Sequence, residues 1–212
     1  TRVDEFSDHP LRHSNASWTS AIRLGDFELY IGGSDPTAIR AIGAELPTVV
    51  VGKQVESTLT PDSCARLVTQ LYGLVAGSPV LLNQAQDISQ EWLAAARLLA
   101  QPQPPPRGDM AIDEKVRLLS DTIPRATREG LTELQDEMTR AGLDIRHAPF
   151  AMMHTGARAA ALAYGDPAIL RKTPHLLPDD EEKRNEMIGE VIRFSLSDEF
   201  LVLRRKAGLE GA

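Results

Sequence analysis

Cysteine is nearly absent from this chain: Cys64 stands alone among 212 residues, which excludes an internal disulfide and any multi-cysteine zinc site. That usage agrees with a reducing compartment. Long apolar runs are missing too. PTVVVG and SPVLLN fall far short of the roughly 20 residues that span a bilayer, and the first residues, TRVDEFSDHP, are too polar for a secretory signal. The expectation is a cytoplasmic chain with no membrane contact. No excess of basic charge offsets the acidic residues: the net charge is -7 and the pI about 5.3, a balance that opposes a phosphate backbone. The basic cluster Arg204-Arg205-Lys206 stands against that balance alone, so no nucleic-acid partner is expected. Neither GxGxxG nor GxxxxGK[ST] occurs, and no cofactor is expected.

What the chain does contain is the composition of a folded protein, 42 % apolar and 25 % charged, in a length that suits one large domain or one domain with a smaller helical companion. Arginine far outnumbers lysine and alanine is abundant, a bias that points to a GC-rich bacterial source. Residues 1–100 read as an α/β portion. ASWTSAIRL and GDFELYIGG read as two strands joined at Gly25-Asp26, because Phe27, Leu29 and Ile31 alternate with Glu28 and Tyr30. DPTAIRAIGAEL reads as a helix, with Asp35 as cap and Pro36 at the first helical position. LPTVVVG is a β-branched run expected to be a buried strand. Thr60 then opens a helix whose Leu67, Val68, Leu71 and Leu74 recur at helical spacing up to Gly77. SPVLLN reads as a short strand, and Asp87 or Ser89 opens a further helix.

The proline-rich segment QPQPPPRG, residues 101–108, favours extended geometry and reads as a connector. Residues 109–212 read as a mostly helical portion packed on the first: IDEKVRLLSDTI, PRATREGLTELQDEMTRAG, AMMHTGARAAALAYG, DDEEKRNEMIGEVIRF and SDEFLVLRRKAG. The expected fold is therefore α/β, a small mixed sheet with flanking helices followed by a helical C-terminal half.

Candidate chemistry is sparse. Gly32, Gly33 and Ser34 precede Asp35-Pro36 and invite comparison with a phosphate cradle, but Pro36 removes one of the N–H groups a cradle needs, and a turn capped by Ser34 or Asp35 explains the residues. His9 and His13 stand four apart beside Asp4 and Asp8, with Pro10 between them, and read as a mobile polar terminus rather than a metal site. His154 and Arg158, one helical turn apart, can jointly hold a carboxylate or phosphate, with His154 also able to serve as an acid or base; the competing reading packs His154 at the edge of a Met-rich and Ala-rich core helix with its ring nitrogen bonded to a backbone carbonyl. Cys64 in the first turn of a helix reads as a buried thiol. The acidic run at residues 179–186 reads as a solvated first helical turn.

Surfaces are the other source of function. Phe200, Leu201, Val202 and Leu203 form a continuous apolar run, and Tyr164 ends a helix of small residues; an uncovered part of either is a contact for a protein partner or a second copy. Two functions follow. One is a cytoplasmic bacterial interaction or accessory protein acting in an oligomer or complex through Phe200, Leu201, Leu203 and Tyr164. The other is a small-molecule enzyme with a pocket between the two halves, lined by Ser34, Asp35, His154 and Arg158.

Overall fold

The computed structural model of the chain describes residues 1–4, 7–42, 46–78, 81–82, 86–100, 110–143 and 147–209. The fold is α/β, with a small mixed sheet, flanking helices and a mostly helical C-terminal half. Contacts divide the chain into two compact units, one from residues 1–84 with 152–212 and one from residues 85–151. The proline-rich connector at 101–108 lies outside the described residues.

The first unit holds the sheet. Its strands are β1 (Arg2–Val3), β2 (Glu28–Ile31), β3 (Ile39–Ile42) and β4 (Thr48–Val51), in the order β1-β2-β4-β3. β2 and β4 run parallel, with Leu29 opposite Val49 and Ile31 opposite Val51, while β1 and β3 pair antiparallel at the two edges. Period-two alternation puts Leu29, Val49, Val51, Ile39 and Ala41 on one buried face. That face packs on α1 (Pro10–Ala21) and α3 (Pro61–Ala76), and Trp18 of α1 donates its indole N–H to the Val68 carbonyl at 3.1 Å. A five-residue helix, α2 (Lys53–Ser57), separates β4 from α3.

Several sequence expectations are corrected by the observed elements. ASWTSAIRL is not a strand but the end of α1 and the turn after it, so no hairpin forms at Gly25-Asp26. The segment of His9 and His13, read as a mobile polar terminus, starts α1 instead: Pro10 sits at the first helical turn, where its missing N–H has no intrahelical acceptor to lose, and His9 is the N-cap. DPTAIRAIGAEL does not open a helix either. Asp35 caps a local turn and residues 39–42 extend as β3, because the β4 edge offers Ile39 and Ala41 a ladder and a buried face that a short isolated helix would lack. Within SPVLLN, Leu81 and Leu82 are helical, and Leu82 N–H donates to the Ser78 carbonyl at 3.1 Å.

Gln70 of α3 is fully buried and ties the sheet edge to this turn. Its Oε1 accepts the Ala41 N–H of β3 at 2.9 Å, and its Nε2 donates to the carbonyls of Leu81 at 2.7 Å and Leu82 at 3.1 Å.

The second unit contains α4 (Gln86–Leu99), α5 (Met110–Thr122) and α6 (Arg125–Arg140). Lys115 reaches Glu91 at 2.6 Å and lies 5.8 Å from the Trp92 ring, and Thr132 donates to the Ala100 carbonyl at 2.8 Å. Back in the first unit run α7 (Ala148–Tyr164, from Met152 onward), two short 3-10 turns at Pro167–Lys172 and Pro174–Leu176, α8 (Glu181–Ser195) and α9 (Asp198–Lys206). The small residues of α7 serve close packing: Ala157, Ala159, Ala160 and Ala161 are buried, and a Cβ on Gly156 would lie 2.6 Å from Leu81 Cδ2.

Candidate functional site

Among the described residues of the first unit, the two most exposed large apolar side chains, Leu196 and Leu201, lie at the α8–α9 corner. α8 starts with Asp180 accepting from Lys183 N–H and with Glu181 and Glu182 in its first turn, as the helix dipole favours. Met187 and Val191 point inward, and on the opposite side Ile192 is 41 % exposed. At the corner Leu196 is 82 % exposed, and Ser197 caps α9 by accepting from Phe200 N–H while donating to the Phe194 carbonyl.

α9 has two distinct faces. Phe200 is buried and meets Phe194 edge-on at 5.4 Å between centroids. Arg204, one turn on, donates to the carbonyl of Leu162 at 2.6 Å and to that of Leu209, with its guanidinium 6.0 Å from the Phe200 ring. These contacts fix the inner face on α7. On the outer face Leu201 is 58 %, Val202 44 % and Leu203 36 % exposed. Of the four residues read as a contact surface, Leu201 and Leu203 face solvent and Phe200 does not. Tyr164 is half-buried beside the core and shares a hydrogen bond with Cys64; burial, with Cys64 second, holds its phenol above the ordinary value of 10.0.

His154 and Arg158 are brought together as their spacing implies, and they hold a carboxylate, that of Glu190 on α8. His154 Nδ1 lies 2.7 Å and Arg158 Nη2 3.2 Å from the same Glu190 oxygen, and the Arg158 guanidinium is 5.4 Å from the Phe194 ring. The imidazole is mostly buried, with Nε2 inaccessible to solvent. Nδ1 thus meets a side-chain carboxylate. The cluster ties α7 to α8, and the carboxylate that His154 and Arg158 hold comes from the chain itself.

Ser34 and Asp35 belong to a different place. Gly32 and Gly33 adopt φ of 141° and 100°, which side chains disfavour, and Asp35 accepts from Thr37 N–H at 2.8 Å and Thr37 Oγ1 at 2.7 Å. Those two bonds hold the Asp35 carboxyl below its ordinary pKa. The Pro36 carbonyl accepts Gln54 N–H at 2.9 Å and Val55 N–H at 3.4 Å, so the loop itself supplies acceptors to the start of α2. Gly52 makes the approach feasible, since a Cβ there would lie 2.2 Å from the Pro36 oxygen.

His9 Nδ1 accepts from Leu11 N–H, leaving Nε2 3.5 Å from Glu56, and His13 lies 3.2 Å from Asp8. Among the described residues no group of three or more His, Cys, Asp or Glu is arranged to hold a metal ion. An open cleft of about 620 Å³ lies between α1 and the turn before β2, lined by Asp8, Arg12, His13, Asn15 and Asp26 among others. Ser34, Asp35, His154 and Arg158 are not among its lining residues.

Sequence reading missed Glu190, whose partners lie 32 residues or more away and leave no local spacing to find, and it missed the inward role of Arg204. Ile192 and Leu196 carried a signal, an apolar pair four apart on the side opposite Met187 and Val191. No helix among the described residues is long and apolar enough to cross a membrane. No protein-family model matches the chain, and neither a curated protein nor a solved structure matches it.

Proposed function

We propose that this chain is an interaction or accessory protein of the bacterial cytoplasm, acting through protein–protein contact in an oligomer or complex, with the outer face of α9 as a contact surface. One observation carries the reading. Leu201, Val202 and Leu203 are consecutive, all at least 36 % exposed, on a helix whose own docking is already supplied by Phe200 and Arg204. A single exposed leucine is ordinary, whereas three consecutive exposed apolar side chains on one short helix are a concentration of apolar surface. Burying one such side chain fully is worth about 1.5–3 kcal/mol, so partial burial of three supplies a useful share of a specific contact.

The enzyme reading rests on Ser34, Asp35, His154 and Arg158 and has less support, because Glu190 already engages His154 and Arg158 and Thr37 engages Asp35. The cytoplasmic setting is supported by the single cysteine.

The test is Leu201→Asp with Leu203→Asp, compared with the unaltered chain by native mass spectrometry after gentle purification from the host. Loss of the assembled species with an unchanged melting temperature is expected, since exposed substitutions of this kind usually alter stability by about 0.5 kcal/mol or less. Assembly that survives both substitutions refutes the assignment of this face.

A further inference from the structure

We draw no further inference here: the strongest candidate, the open cleft between α1 and the turn before β2, has its Arg12, Asn15 and Thr19 donating to backbone carbonyls and its His13 set against Asp8, so nothing among the described residues singles out a ligand chemistry for it.

Discussion

Replacing Gln70 with leucine should weaken the sheet edge far more than a surface substitution would, because this one amide serves three backbone groups. In Gln70→Leu the Ala41 N–H and the Leu81 carbonyl, both in buried hydrogen bonds, lose their partner, and the half-buried Leu82 carbonyl loses a donor. A buried polar group left unsatisfied costs about 1–3 kcal/mol, so the two buried groups together forfeit about 2–6 kcal/mol. Leucine is more apolar and similar in size, and its burial returns about 1–2 kcal/mol. The expected net loss is about 2–3 kcal/mol. With a urea dependence of about 2 kcal/mol/M, the unfolding midpoint should fall by about 1 M without a change in slope. Hydrogen exchange localises the effect: the Ala41 amide, protected in the unaltered chain, should exchange much faster in the variant, and the Val49 amide inside the sheet much less so. A midpoint shift under about 0.3 M with Ala41 still protected would refute the claim that Gln70 satisfies the edge.

Tyr164 gives a pH-dependent expectation. Its phenol is held above 10.0 in the folded chain, by burial first and Cys64 second, so this contribution is fully present below pH 10 and is lost as pH rises toward the folded value. Chemical denaturation at successive pH values should show stability falling above pH 10 by up to about 1.4 kcal/mol per unit, with the slope reduced in Tyr164→Phe; equal slopes would count against it. Gly52→Ala should cost about 2–3 kcal/mol although φ at Gly52 is an ordinary −63°, because the new Cβ would lie 2.2 Å from the Pro36 oxygen, a backbone atom that also accepts from α2. A melting temperature unchanged by Gly52→Ala would mean that the loop yields easily.

The elements legible in the sequence were those whose determinants are local. α3 was marked by Thr60, a run of apolar residues at helical spacing and Gly77, and it has the Thr60–Ser63 capping box and a left-handed Gly77 at φ 59°. α8 was likewise marked by its acidic first turn, α9 by Arg204, Arg205 and Lys206 at its C-terminal end, and β4 by its β-branched run. The failures came where tertiary partners decide. Residues 16–21 alternate well enough for a strand, but Trp18 reaches the Val68 carbonyl of α3 and the segment coils as α1. Asp35-Pro36 has the chemistry of a helix start, yet Ile39 and Ala41 gain a ladder with β4 and join the sheet. At the candidate site, the sequence showed that Arg158 follows His154 by one turn; it held no sign that Glu190 would complete the pair. The apolar run in α9 was visible as a run, while which side of it faces outward depended on the Phe194–Phe200 and Arg204–Leu162 contacts.

Arg204 has a further consequence for how this protein can change over generations. By donating to the Leu162 and Leu209 carbonyls it anchors α9 through backbone atoms, which every residue possesses, so the anchor is insensitive to most substitutions in the segments it grips. The outward positions 201, 202 and 203 carry correspondingly less of the docking of this helix. Selection can rewrite them more freely than Arg204 while the helix stays where it is, and drift at these three positions beside an unchanging Arg204 would be the historical trace of that freedom.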